Sequence, residues 1–203
     1  MQIPLFLEIT NQTVIAVGGG AVAVKKVSHF LEAGADITII APSLHPFLQQ
    51  LYQKGEIQWQ EREAHKGEQF DCLLLLLMTD KEELNRSLYE SKQPHQLVYV
   101  ANDAQNSDLS FPSVLKQGRL TIALSTGGAS PIYARQLKNK LAEQLPEEIE
   151  ADLAFLDQAR KSILSLSLIP AQKKQLLQHI TTEEFLRLDN RQELLKELIT
   201  AAE

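Results

Sequence analysis

Three consecutive glycines between an apolar segment and an amphipathic segment constrain the fold of this chain more than any other feature. The segment Thr13–Val17 has the β-branched composition of a buried strand, and Val22–Ala33 carries apolar residues at helical spacing. The turn between them reads G-x-G-x-x-A, in which Gly18 permits a tight turn, Gly20 lets a ligand approach the backbone, and Ala23 lets the helix pack closely against the strand. A strand, this turn and a helix in succession form the context that a dinucleotide-binding turn requires.

Strand-like and helix-like segments continue to alternate along the chain. The predicted strands are Thr13–Val17, Asp36–Ile40, Ile57–Glu61, Cys72–Met78, Leu97–Ala101 and Leu120–Ser125, and further helices are predicted at Lys81–Lys92 and from Pro131 to about Leu145. The uninterrupted apolar run Cys72–Met78 is typical of a central parallel strand, because both faces of such a strand are covered. The order of segments therefore predicts an α/β fold in which helices wind around a parallel sheet.

The sequence changes character after Pro146. From Glu150 to Glu203 there is no glycine and a single proline, Pro170, and leucines recur at helical spacing. Thr182 followed by Glu183 resembles a helix start. This part of the chain predicts an all-helical C-terminal domain.

Composition excludes several classes of protein. The formal net charge of −6 argues against a general nucleic-acid binder, and no apolar run reaches the ~18 residues that a membrane span needs. The single cysteine, Cys72, cannot form an intrachain disulfide, and the histidines show no metal-ligand spacing, so we expect no metal site. The N-terminus lacks the basic region of a signal peptide, and we expect a cytoplasmic protein.

One element of an NAD site is missing from the sequence. Such a site usually has an acidic residue at the end of the second strand, where it binds the ribose hydroxyls. Here the second strand is followed by Ala41, Pro42 and Ser43, none of which is acidic. The choice between NAD and NADP is therefore left open, and a glycine-rich turn that binds no ligand is the alternative interpretation.

A second glycine turn lies between the predicted strand Leu120–Ser125 and the helix that begins at Pro131. It contains the hydroxyl-bearing residues Ser125, Thr126 and Ser130. We expect these three hydroxyls to lie at the carboxyl edge of the parallel sheet, where open α/β folds bind ligands. The alternative is that they cap the helix, which suits Ser130 best.

Three stretches together resemble the precorrin-2 dehydrogenase family, the N-terminal module of siroheme synthases, which in some relatives is also a sirohydrochlorin ferrochelatase. They read TVIAVGGGAVAVKKVSHFLEAGADITIIAPSL, MTDKEELN and GRLTIALSTGGASPIYARQLKNKLAEQLP. The resemblance implies NAD-dependent oxidation of precorrin-2 to sirohydrochlorin by a homodimer. It further implies a Rossmann-like NAD-binding domain over residues 1–101, a dimerisation and substrate-site segment over 102–146, and a helical domain over 147–203. The cofactor contacts that it implies are Gly18, Gly19, Gly20, Ala21, Val22, Pro42, Ser43 and Thr79.

The chain departs from the family at one position that bears on catalysis. Bifunctional members carry an aspartate before an F-x-x-P element, and counting back from Pro112 places Asn102 at that position. The nearby candidates for the acid–base residue are Asp103 and Asp108, although an aspartate in a loop is often only a turn residue. We therefore expect a dehydrogenase without efficient chelatase activity, with a bifunctional enzyme as the alternative.

The substrate implied by the resemblance is a tetrapyrrole that carries many carboxylates. The expected substrate contacts are Ser125, Thr126, Gly127, Ser130 and Arg135. Arg135 is the best carboxylate ligand among them, since a guanidinium can bind a carboxylate through two hydrogen bonds. A dinucleotide-sensing binding module is a competing hypothesis, but it would not need this second turn.

Overall fold

A computed structural model describes residues 2–101, 103 and 105–202. Its main element is a parallel sheet with the strand order β3-β2-β1-β4-β5. The strands are β1 (Thr13–Val17), β2 (Asp36–Ala41), β3 (Gln58–Glu61), β4 (Leu74–Leu77) and β5 (Leu97–Val100). The predicted Rossmann-like parallel sheet is thus confirmed, and it places the carboxyl ends of all these strands at one edge.

Helices cover the sheet and leave β4 buried at every residue. They are α1 (Ala21–Glu32), α2 (Pro46–Gln53) and α3 (Glu82–Glu90). The sequence did not indicate α2, which is only two turns long; its start is marked by Pro46 and by His45, whose Nδ1 accepts a hydrogen bond from the N–H of Phe47. Leu48 and Leu51 of α2 are buried, so this short helix is fixed by packing.

The outer edge of β5 is capped by side chains from the loop that follows it. The Val98 N–H donates to a carboxylate oxygen of Asp108 at 3.0 Å, and the Val100 N–H donates to the hydroxyl of Ser107 at 2.8 Å. The Asp108 N–H in turn donates to the Val98 carbonyl at 2.8 Å. These bonds satisfy edge groups that would otherwise be open to pairing with another strand.

A hairpin follows the parallel sheet and corrects one prediction. Strand β6 (Ser113–Gln117) pairs antiparallel with β7 (Leu120–Leu124), and the two form a sheet of their own. The expectation that the strand Leu120–Ser125 ends at the carboxyl edge of the parallel sheet was therefore wrong. The connection is Gly118-Arg119, and glycine at the first position of a two-residue loop favours such a hairpin.

The rest of the described chain is helical. The helices are α4 (Pro131–Gln144), α5 (Ile149–Ser165), α6 (Pro170–Ile180), α7 (Glu183–Leu186) and α8 (Arg191–Ala202). Phe155, Ile163, Ile180 and Phe185 lie in the core that α5, α6, α7 and α8 share. The chain divides into two compact units, the first ending at Ser110 and the second beginning at Phe111. Among the helices described, none is long and apolar enough to cross a membrane.

Candidate functional site

A cleft of about 580 Å³ opens at the carboxyl edge of the parallel sheet. Its walls come from the turns that follow the strands: the glycine turn after β1, the segment 41–45 after β2, the loop after β3, and the turn after β4. Six of the eight residues expected to contact the cofactor line it: Gly18, Gly19, Gly20, Pro42, Ser43 and Thr79. The other two, Ala21 and Val22, lie in the first turn of α1 and are exposed.

The first two glycines are required by the protein's own backbone. Gly18 has φ +114°, and a Cβ placed there would lie 2.6 Å from the carbonyl oxygen of Met78. A Cβ on Gly19 would collide with the carbonyl oxygen of Ser43. The Gly19 carbonyl also accepts a hydrogen bond from the His45 N–H at 2.8 Å, so the glycine turn is packed tightly against the turns that follow β4 and β2.

No neighbouring atom of the described residues requires position 20 to be glycine. A Cβ on Gly20 would meet no atom within 4 Å, and its φ of −86° is open to any residue. Gly20 is the N-cap of α1 and offers no side-chain cap, although the first N–H groups of a helix lack intrahelical acceptors. These donors and the positive end of the helix dipole suit an anion. The space at Gly20 and the donors beside it fit a dinucleotide pyrophosphate.

Thr79 contributes backbone to the cleft, while its side chain holds the local structure. Its hydroxyl donates to the amide oxygen of the buried Asn85 at 2.7 Å, and the Asn85 amide group donates to the Thr79 carbonyl at 3.0 Å. The Thr79 hydroxyl also accepts a hydrogen bond from the Lys81 N–H. Gly18 lies against this turn. Asn85 therefore fixes one wall of the backbone that surrounds Gly18, Gly19 and Gly20, which we call the glycine cradle.

An ion pair reaches across the edge of the cleft. The Lys81 Nζ lies 2.7 and 2.8 Å from the two carboxylate oxygens of Glu63, and the hydrogen bonds to Glu63 raise the pKa of Lys81. Both side chains are slightly more than half exposed. The pair connects the loop after β3 to the turn after β4, and the ends of β2 and β1 lie between these strands.

The two candidate aspartates have different surroundings. Asp103 accepts hydrogen bonds from the Asn106 side chain at 2.7 Å and from the N–H groups of Asn106 and Gln105, which lower its pKa. Asp108 caps the edge of β5, and its two oxygens each lie 2.6 Å from the Lys92 Nζ. The Asp108 side chain therefore stabilises the edge of the parallel sheet, whereas the Asp103 side chain stabilises the turn that follows it. Asn102, expected at the position of the family aspartate, lies outside the described residues.

The hydroxyls of the second glycine turn all stabilise the turn itself. The Ser125 hydroxyl accepts from the Gly127 N–H at 3.2 Å, Thr126 accepts from the Ser130 N–H at 3.1 Å, and Ser130 caps α4 by accepting from the Tyr133 N–H at 3.1 Å. Each hydroxyl keeps its own O–H to donate. Gly127 has φ +61°, and a Cβ there would meet open space.

Arg135 is exposed on α4, one turn beyond Pro131. Arg119, in the turn between β6 and β7, is already paired with Asp157 at 3.1 Å. Of these two guanidiniums, Arg135 is the one available for a carboxylate ligand.

Sequence reasoning missed four residues at or behind the cleft: His45, Glu63, Lys81 and Asn85. Glu63 and Lys81 are far apart in the sequence and meet only because of the order of the strands. The sequence could have indicated Asn85, because this amide lies one helical turn after Lys81 on an otherwise apolar face of α3.

The parallel sheet, the cleft at its carboxyl edge and the glycine cradle define a nucleotide-binding α/β protein. The family model described as "Putative NAD(P)-binding" matches residues 5–113, more than half of the chain, and the chain belongs to this family. A model described as "Sirohaem biosynthesis protein central" matches residues 117–144. The resemblance inferred from the three stretches of sequence is thereby confirmed.

Named relatives agree with these matches. A siroheme synthase of Zymomonas mobilis is 39% identical over 149 residues, which are 72% of this chain and 31% of that protein. The precorrin-2 dehydrogenase of Bacillus subtilis is 28% identical over 159 residues, which are 78% of this chain and 98% of that protein. The chain thus spans about a third of the length of the siroheme synthases that it matches and nearly all of the dehydrogenase.

A solved structure also shares the fold. The structure titled "SirC, precorrin-2 dehydrogenase" matches with a TM-score of 0.83 and 24% identity, over 98% of this chain and 100% of that chain.

Proposed function

We propose that this protein is an NAD-dependent precorrin-2 dehydrogenase that oxidises precorrin-2 to sirohydrochlorin in siroheme biosynthesis, or in the synthesis of a cobalamin-type tetrapyrrole. The observation that carries the proposal is the glycine cradle, in which positions 18 and 19 are closed by the protein's own backbone and position 20 is open. The match to nearly the whole length of the Bacillus subtilis precorrin-2 dehydrogenase supports the choice of substrate. We further propose that the protein is cytoplasmic and acts as a homodimer.

Different residues of the cleft contact different parts of NAD. Gly20 leaves room for the pyrophosphate, and the first N–H groups of α1 donate to it. Pro42 and Ser43 line the cleft after β2, and we place the adenosine of NAD on this side, which we call the adenosine side. Thr79 lines the cleft from the turn after β4. When bound, NAD supplies the nicotinamide that accepts a hydride from the reduced macrocycle.

Substrate recognition needs donors for carboxylates. Ser125, Thr126 and Ser130 each keep an O–H to donate, and Arg135 can bind a carboxylate through two hydrogen bonds. Oxidation also releases a proton from the macrocycle, which a carboxylate can accept. We assign this role to Asp103 in preference to Asp108, because Asp108 accepts four hydrogen bonds, which use all of its lone pairs, whereas Asp103 accepts three. The amide of Asn102 cannot take this role, since it is barely basic.

The experiment that tests the proposal follows NAD reduction by purified protein given precorrin-2. We expect NADH and sirohydrochlorin to appear together, and we expect Asp103→Asn to lower turnover by about 100-fold, the usual scale for loss of a general base. Arg135→Met is expected to raise KM for precorrin-2, whereas Lys140→Met, on the same helix, serves as its control. Absence of NADH formation by the wild-type protein would refute the proposal.

The same preparation tests the second activity. Ferrous ion is added to sirohydrochlorin with and without protein, and we expect insertion close to the spontaneous rate because of Asn102. Rapid insertion by the wild-type protein would instead establish the bifunctional alternative.

A further inference from the structure

The cleft contains a carboxylate that the sequence pattern of an NAD site does not account for. The position at the end of β2 that usually carries an acidic residue is occupied by Ala41, Pro42 and Ser43. That acidic residue separates NAD from NADP in this kind of fold, because it accepts hydrogen bonds from ribose hydroxyls and repels the 2′-phosphate. Without this acidic residue, the residues at the end of β2 do not by themselves favour NAD over NADP.

The neighbouring strand supplies the carboxylate. Strands β2 and β3 run parallel with Ala41 opposite Glu61, so Ser43 and Glu63 each follow a paired residue by two positions at the same edge of the sheet. Both residues line the cleft. Glu63 therefore enters the adenosine side of the cleft from β3, where a carboxylate from β2 would usually stand.

The loop that carries Glu63 is held firmly in place. Ala64, the next residue, is buried in the core together with Leu84 of α3. Farther along the loop, Lys66 pairs with Glu83 at 2.8 Å, and the Gly67 N–H donates to the Ser87 hydroxyl at 3.0 Å. Glu63 is thus fixed against α3 by its neighbours as well as by Lys81.

The charged side chains that line the cleft favour a ribose with free hydroxyls, as in NAD, over a ribose with a 2′-phosphate, as in NADP. They are two carboxylates, Glu63 and Asp80, and one ammonium group, Lys81, with His45 as the remaining titratable side chain. Lys81 is bound by both oxygens of Glu63, so it is not free to pair with a phosphate, and the charged side chains of the lining sum to a net negative charge. Like charges brought together at a binding site are unfavourable, and a 2′-phosphate would add negative charge here.

We propose that Glu63, held by Lys81, is the residue that makes this cleft select NAD over NADP. The inference rests on the proposed function only in that it requires the cleft to bind a dinucleotide. Glu63 accepts hydrogen bonds from the ribose hydroxyls and repels a 2′-phosphate, and Lys81 orients it. If Glu63 is neutralised, Lys81 becomes an unpaired cation that favours the phosphate.

The test measures the affinities of the full chain for NAD and for NADP by titration calorimetry. The wild-type protein is expected to bind NAD at least about tenfold more tightly than NADP, a difference of about 1.4 kcal/mol. In Glu63→Gln, NAD binding should weaken, NADP binding should strengthen, and the ratio should fall to about one or below. Lys81→Gln should keep the preference for NAD, because it leaves the carboxylate in place.

Glu83→Gln is the matched control, since it breaks another ion pair of the same loop, one that lies outside the cleft. It should leave both affinities within about twofold of the wild type. An unchanged ratio in Glu63→Gln, or a wild-type protein that prefers NADP, would overturn the inference while leaving dinucleotide binding intact. Absence of binding of either dinucleotide to the wild-type protein would instead refute the proposed function.

Discussion

The three glycines of the turn have different physical roles, although the sequence shows them as one run. Gly18 and Gly19 are closed in by the carbonyl groups of Met78 and Ser43, so they serve folding. Gly20 faces open space, so it serves a ligand. Substitution at single positions can therefore separate stability from binding.

Gly20→Val should fold normally and bind NAD poorly. Its backbone conformation suits a branched residue, and the added methyl groups would occupy the space left for the pyrophosphate. We expect the affinity for NAD to fall at least about tenfold, measured by calorimetry, with little change in Tm. Gly18→Val is the contrasting variant, because it combines φ +114° with a backbone clash and should lose about 2 kcal/mol or more of stability. Equal NAD affinity in Gly20→Val and the wild type would contradict the assignment of the cradle.

Residues near a turn could be predicted from the sequence, and residues brought together by topology could not. The motif spacing alone identified Gly18, Gly20 and the segment containing Ser43, and all of these line the cleft. Glu63 escaped notice because its relevance depends on β3 lying next to β2 in a particular register. A single sequence does not specify that register.

Among the elements, apolar runs identified the buried strands, and the polar strand β6 was missed. Strands β1, β2, β4 and β5 were predicted from apolar runs, because burial on both faces demands apolar side chains, whereas β3 was predicted from the alternation of its side chains. Strand β6 contains Ser113, Lys116 and Gln117, and its residues are at most partly buried, so its pattern resembled a loop. Missing β6 led to the wrong placement of β7, because the hairpin partner decides which sheet a strand joins.

The cap on β5 gives Asp108 a structural role that can be measured. Asp108→Ala removes the acceptor for the Val98 N–H and leaves Lys92 without its carboxylate. We expect the free energy of unfolding, measured with urea, to fall by about 1–3 kcal/mol, the scale for leaving a partly buried donor unsatisfied. Glu90→Ala, which removes an exposed carboxylate from α3, should change it by less than about 0.5 kcal/mol. A stable Asp108→Ala protein with turnover lowered about 100-fold would instead assign the acid–base role to Asp108.

At the scale of the whole molecule, the second unit exposes apolar side chains that suit a second copy of the chain. Val114 on β6 is 46% exposed, and Ile132 and Tyr133 on α4 are 63% and 58% exposed. They lie within the segment 102–146, for which the family resemblance implies dimerisation. The elements that carry these side chains, β6 and α4, contact each other, and clustered exposed apolar side chains are typical of protein–protein contacts.

Light scattering at micromolar concentration should therefore give the mass of a dimer. Ile132→Glu should shift the mass towards that of the monomer, because it places a charge in the proposed contact, while Lys140→Glu, farther along the same helix, should not. A monomeric mass for the wild-type protein would refute the homodimer.

Amide hydrogen exchange of the full chain with and without NAD shows whether NAD binds in the cleft at the carboxyl edge of the parallel sheet. The first N–H groups of α1 have no acceptor within the helix and should exchange rapidly in the free protein. On addition of NAD we expect slower exchange in peptides that cover residues 18–24, 41–45 and 78–84, and no change in the core of α5. Unchanged exchange across the glycine turn while NAD is bound elsewhere, with protection confined to residues 111–202, would contradict the account.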